Sequence, residues 1–176
     1  TVHQKLLETM DLKYADMNTE NDPKKRAEME QEVTIQIMAI LDEETSIRSR
    51  ELRSNIVREV LQDVLGLGVL EDILADPDVS EIMINCFDDI YLERKGRITR
   101  SDRKFFSERH LPRVIDRIVA PLGRKIDSSS PMVDARLKDG SRVNAIIPPL
   151  SIDGPILSIR RFSVDPLEMN DLLTLN

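Results

Sequence analysis

Between Pro131 and Phe162 the chain reads PMVDARLKDGSRVNAIIPPLSIDGPILSIRRF, and this apolar–polar alternation constrains the fold more than any other stretch. Val133, Ala135 and Leu137 alternate with Asp134 and Arg136. Val143, Ala145 and Ile147 alternate with Arg142 and Asn144, and Leu157 and Ile159 alternate with Ser158 and Arg160. Successive strand residues point to opposite faces, so the pattern predicts three strands with one buried side and one wet side. The arginines gather on the wet side, a surface suited to an anion.

Turn chemistry then fixes how the first two strands pair. A two-residue Asp139-Gly140 loop would set Leu137 opposite Arg142, an inward residue against an outward one. A three-residue loop, Lys138-Asp139-Gly140 with glycine in the left-handed position, matches apolar with apolar. That register places Arg136 directly across from Arg142 and Asp134 across from Asn144. Like charges opposed in this way weaken a sheet, so the pair calls for a counter-charge. Asp134, Asp139, solvent and an outside anion are all open at this level.

The rest of the chain divides by glycine usage. No glycine precedes Gly66, and Pro23 is the only proline before it. This is a helical composition. Leu6, Leu7, Met10, Tyr14 and Met17 form one helical stripe, and Asn21-Asp22-Pro23 breaks it and starts a second helix. Met29, Val33, Ile37, Ile40, Leu41 and Glu44 continue at helical spacing. Ser46 or Ser49 is placed to cap a third helix carrying Leu52, Ile56, Val60, Leu61 and Val64. The three helices are expected to bury one another as a small bundle over residues 1–65.

Gly66-Leu67-Gly68 is not a phosphate loop, since no G-x-x-x-x-G-K-[ST] pattern occurs in the sequence. It reads as a connector. A short helix over Val69–Ala75 should end at Asp76-Pro77, followed by a strand at Glu81–Asn85 and a hairpin, Ile90–Glu93 to Arg97–Arg100, turning at Lys95-Gly96. Ser107 is positioned to cap a longer helix with Leu111, Val114, Ile115, Ile118 and Leu122 buried. The same helix carries Arg109, Arg113 and Arg117 on its outer side, either a solvated row or a contact with another subunit or domain. Strands, a helix and a second set of strands predict an α+β module over residues 66–165: an antiparallel sheet with helices on one side. Residues 166–176 read as the start of a linker.

Composition narrows the partners. Three per cent aromatic residues without tryptophan leave little to stack on bases, and a net charge of −7 lacks the basic excess of a duplex binder, so no nucleic-acid partner is expected. The single Cys86 excludes an internal disulfide and reads as a half-buried thiol at a strand end, while His3 and His110 lie too far apart to suggest zinc. No signal peptide or long apolar run occurs, which predicts a cytoplasmic location without membrane insertion. The start at Thr1 and the stop at Asn176 suggest a piece of a longer protein.

Four runs carry a family resemblance: LGLGVLEDILADPDVSEIMIN, IYLERKGRI, RVIDRIVAPLGRKIDSSSPMVDARLKDGSRVNAIIPP and ILSIRRF. They resemble the type II/type IV secretion ATPases, nearest to the CpaF/TadA subgroup that powers tight-adherence and Flp-type pili. Where that family commonly has Gly-Pro after the strand asparagine, Cys86-Phe87 stands here. The resemblance implies a PAS-like amino-terminal domain preceded by a helical bundle, from a homo-hexameric ATP-hydrolysing motor. The RecA-like domain that would hold Mg2+ and orient water is missing, so the chain alone is expected to be inactive. The resemblance implies ATP as ligand, an inner-membrane pilus platform protein as partner, and a location peripheral to that membrane through such partners. Matched by motif, the family's phosphate-contacting arginines fall on Arg142 and Arg160, with Arg136 and Arg161 as further nucleotide-binding candidates. The alternative is a non-catalytic PAS-like module that binds a protein or a small anion.

Overall fold

The computed structural model describes residues 23–43 and 49–162. The expected stripe from Leu6 to Met17, Glu44, Ser46 and the expected linker at 166–176 lie outside the described residues. The described residues form four α-helices and six strands: α1 (Pro23–Glu43), α2 (Arg50–Leu65), α3 (Val69–Ala75), β1 (Val79–Cys86), β2 (Asp89–Arg94), β3 (Arg97–Arg100), α4 (His110–Val119), β4 (Met132–Arg136), β5 (Arg142–Ile146) and β6 (Ile156–Arg160). Among the described residues no helix is long and apolar enough to cross a membrane.

The sheet is antiparallel throughout, with strand order β3-β2-β1-β6-β5-β4. It consists of two three-stranded meanders joined by the central β1–β6 pair, and α4 lies on the connection from one edge strand to the other. The joining pair is built from matched apolar positions: Ile82 faces Ile159 and Ile84 faces Leu157. Those four side chains are fully buried. Leu70 and Ile73 of α3 pack on the same apolar face, together with Leu111, Val114, Ile115 and Ile118 of α4. The expected α+β architecture, an antiparallel sheet with helices on one side, is what the chain forms.

A second apolar cluster unites α1 and α2 through Met29, Val33, Ile37, Leu41, Val60 and Val64. Pro23 occupies the first turn of α1, where its missing N–H costs nothing. Ser49 caps α2, its Oγ accepting from the Leu52 amide. Leu52 itself corrects the expected stripe. It is 49% exposed, because the capping turn sets it on the outer side of the first turn while Val60 and Val64 face α1. The changeover between the two clusters falls at Leu65–Leu67, where the Gly66 and Gly68 amides both bond back to the Gln62 carbonyl.

Helix α4 corrects two further expectations. Its N-cap is Arg109 and no side chain caps it; Ser107 contributes its carbonyl, which accepts from the His110 amide, rather than its hydroxyl. Leu122 lies beyond the α-helix in a 3-10 turn, Ala120–Leu122, and is only half-buried, because Pro121 tightens the chain there.

Candidate anion-binding site

The three-residue hairpin loop forms as its glycine requires. Leu137 and Ser141 close it, Gly140 sits at φ +88°, and the Asp139 carboxylate accepts from the Ser141 amide and hydroxyl at 3.0 and 2.9 Å. With the loop set, Arg136 pairs with Arg142 and Asp134 with Asn144. The next strand extends the row, since Arg142 is also the direct partner of Arg160. Three guanidinium side chains thus stand on consecutive strands of one exposed face, a row spanning about 10 Å at ordinary strand spacing. Beyond Arg160 the same row continues into Glu81 of β1 and Glu93 of β2.

The charges in this row are satisfied unequally. Arg142 donates through Nε to Asp134 Oδ1 at 3.0 Å and through Nη2 to Asp134 Oδ2 at 2.5 Å. Hydrogen bonding from Arg142 holds the Asp134 carboxyl below its usual range, and the same bonds raise the already high value of the guanidinium. Both groups are exposed, so this pair stabilises the fold only slightly. Of the counter-charges the sequence left open, Asp134 therefore serves Arg142, whereas Asp139 is used by its own turn. Glu81 does not reach Arg160; the Ser158 hydroxyl donates to its carboxylate at 3.5 Å. Among the described residues Arg136 and Arg160 form no ion pair and no side-chain hydrogen bond.

These side chains line one open hollow of about 360 Å³, bounded by Arg136, Gly140, Arg142, Arg160, Arg161 and Phe162. Arg161 borders it but is occupied: its Nη1 donates to the Asp76 carbonyl at 2.5 Å and the Val79 carbonyl at 3.2 Å, and its amide bonds to Ser80. That tie fastens the end of β6 to the loop entering β1. Arg136, Arg142 and Arg160 are thus brought together with exposed guanidinium ends, and Arg161 is near them with a separate, structural role. Phe162, which sequence reasoning did not single out, is 66% exposed, and its ring lies against the Gly140 turn.

A second cluster was only partly anticipated: the sequence left a contact with another domain open for Arg117 but assigned nothing to Asp63 or to a buried His110. At the junction of α2 and α4, Arg117 donates through Nη1 to the Gly66 carbonyl and through Nη2 to the Val64 carbonyl at 2.6 and 2.5 Å. The expected outer row of arginines therefore contains one that joins the two apolar clusters, because α4 turns that side toward the carbonyl end of α2. His110 beside it is 3% exposed, with both ring nitrogens lacking a partner among the described residues. Burial, and then the Arg117 charge, push its pKa down to about 4. Asp63 is pushed up to about 6 by burial and by the neighbouring Glu59 and Glu71 carboxylates. Only their depth reveals these groups, and depth is set by a contact between helices 47 residues apart in sequence. Cys86 is a half-buried thiol at the end of β1 that donates to Asp88. Among the described residues no group of three or more His, Cys, Asp or Glu side chains is placed to hold a metal ion.

Residues 63–176 match the family model described as type II/IV secretion system protein. An uncharacterized protein of Methanocaldococcus jannaschii is 36% identical over 112 residues, which cover 62% of this chain and 16% of that protein. A Mycobacterium tuberculosis protein, provisionally named for conjugal transfer, is 26% identical over 116 residues, covering 62% of this chain and 33% of that one. The chain thus spans a third or less of the length of these relatives. Among solved structures, the VirB11 ATPase from the Brucella suis type IV secretion system, in complex with sulphate, superposes with a TM-score of 0.53. That match is 21% identical and covers 60% of this chain and 33% of the other, a likeness of fold.

Proposed function

The chain belongs to the type II/IV secretion system protein family, and from that premise we propose that it is the amino-terminal, PAS-like part of an ATP-hydrolysing motor, with the arginine row facing the nucleotide phosphates. The observation that carries this reading is the direct alignment of Arg136, Arg142 and Arg160 across three strands, with Arg136 and Arg160 forming no ion pair among the described residues. Opposed guanidiniums destabilise a sheet unless an anion sits over them. A polyphosphate is the anion whose length and charge suit a row of this kind. Guanidinium stays charged and offers a rigid fork to two phosphate oxygens.

In this reading Arg142 and Arg160 stabilise charge developing on the transferred phosphoryl group, a role worth about 10³ to 10⁵ in rate where arginine fingers have been measured. They also couple chemistry to movement. When the terminal phosphate leaves, the row loses its ligand and the domain that presented the nucleotide is freed to separate. The nucleotide and the Mg2+ ion would be held by the rest of the longer protein, assembled as a homo-hexamer that works at the inner membrane with a pilus platform protein in the manner of the CpaF/TadA group. The isolated chain should then show no ATP turnover. In the longer protein, Arg142→Ala and Arg160→Ala should each lower ATP hydrolysis at least tenfold while leaving the unfolding midpoint within a degree or two. Wild-type hydrolysis in both variants would remove the assignment.

One observation favours the second reading, a non-catalytic module that docks a protein: Asp134 already neutralises Arg142 without any ligand. Turnover separates the two, because a docking module would tolerate Arg160→Ala with full hydrolysis.

A further inference from the structure

We propose that Asp134 is a positioning residue that aims Arg142 at a phosphate and stays bound while the phosphate is held; this rests on the phosphate-facing reading above. A guanidinium has two forked edges on which an anion can seat two oxygens: the side formed by Nε and Nη2, and the end formed by Nη1 and Nη2. Asp134 takes the side edge with both of its oxygens. The end edge is left over, Nη1 has no partner among the described residues, and Arg142 lines the hollow.

The placement follows from the sheet. Asp134 is the cross-strand partner of Asn144, two residues along β5 from Arg142, so the carboxylate reaches Arg142 diagonally on the same face. The contact lies along the strands and draws the side edge of the guanidinium back from the hairpin end, while Arg142 still borders the hollow. The other carboxylates nearby do not compete for this role, since Asp139 holds its own turn and Glu81 takes the Ser158 hydroxyl. Arg142 is also the middle member of the row, flanked by Arg136 and Arg160. A neutralised and oriented centre between two arginines that form no ion pair among the described residues gives the row one fixed donor and two adaptable ones. An arginine held beforehand loses less rotamer freedom when a ligand arrives.

This role has a sign that simple charge counting lacks. Removing a carboxylate beside an anion site ordinarily strengthens anion binding. If Asp134 positions Arg142, its removal weakens binding instead. The test is titration of the chain with inorganic tripolyphosphate at about 0.3 M salt, where exposed charges are screened within roughly 6 Å. Arginine Nε–H signals are followed by nitrogen-15 NMR, with Arg142→Lys identifying the Arg142 resonance and unchanged amide spectra reporting the fold. In the wild type the Arg142 Nε–H should exchange slowly with water and keep its position through the titration. Asp134→Asn and Asp134→Ala should each expose that proton and weaken tripolyphosphate binding about fivefold. Equal or tighter binding in both variants overturns the positioning role and makes Asp134 a bystander or a competitor. Displacement of the wild-type Nε–H signal by ligand does the same. If the wild type binds no tripolyphosphate, the phosphate-facing reading itself fails, and the positioning role with it.

Discussion

Asp63→Asn should make the stability of this protein depend on pH in a way the wild type does not. In the wild type a buried histidine and a half-buried aspartate oppose each other across one pH window. His110 has its folded pKa depressed to about 4 from 6.5, so between those values the unfolded chain binds a proton that the folded chain refuses. Stability from this group therefore rises as pH rises. Asp63 has its folded pKa raised to about 6 from 3.8, so the folded chain keeps a proton that the unfolded chain has lost. Stability from that group falls as pH rises through the same window. Integrated from pH 4.5 to pH 6.5, the histidine contributes a gain of about 2 kcal/mol and the aspartate a loss of about 2 kcal/mol. The pair is close to flat in the wild type.

The asparagine variant removes the aspartate's part and retains its shape. Its unfolding free energy should climb about 2 kcal/mol more than that of the wild type over those two pH units. Urea unfolding at pH 4.5 and 6.5, for both proteins, gives the double difference directly and cancels the carboxylates common to both. His110→Gln should give the opposite slope. Parallel stability curves for wild type and Asp63→Asn would refute the reasoning, since they would mean that Asp63 ionises as it does in the unfolded chain.

Two substitutions probe the same junction by other means. A Cβ at Gly68 would come within 2.8 Å of both Asp63 Oδ1 and His110 Cε1, and the residue sits at φ +58°, so Gly68→Ala should cost about 2 kcal/mol or more in denaturant unfolding; a change below about 0.5 kcal/mol would contradict this account of the site. Arg117→Ala strips two donors from the carbonyls of Val64 and Gly66, and should lower stability by about 2 kcal/mol and speed amide exchange around Gly66 and Gly68. Unaltered exchange there would show that the guanidinium does not hold the junction.

The hairpin was legible in the sequence because its information is local. Alternation assigned the faces, the requirement to match apolar with apolar chose a three-residue loop, and the loop fixed Arg136 against Arg142. The neighbouring relation of Arg142 and Arg160 was only half legible. Alternation put both arginines on wet faces, but nothing local says that β6 inserts between β5 and β1. That order depends on Ile82 and Ile84 finding Ile159 and Leu157 some 75 residues away, a pairing that no periodicity encodes. Helix α4 was half legible for another reason. Its four-residue arginine spacing allowed either a solvated row or a contact with another domain, and Arg117 took its structural role only because α2 ends within its reach. His110 and Asp63 carried no pattern at all, because each is defined by depth at a contact between distant helices. The helical register of α2 was read correctly at Val60 and Val64, yet extending the stripe to Leu52 ignored the capping turn that begins the helix.

The central claim is that the arginine row faces a triphosphate, and its most direct measurement is a crystal structure of the longer protein with a non-hydrolysable ATP analogue. The account predicts Arg142 and Arg160 guanidinium nitrogens at about 3 Å from terminal phosphate oxygens, with Asp134 still on the Nε side of Arg142. A nucleotide bound elsewhere, with the row covered by protein or left open to water, would contradict it.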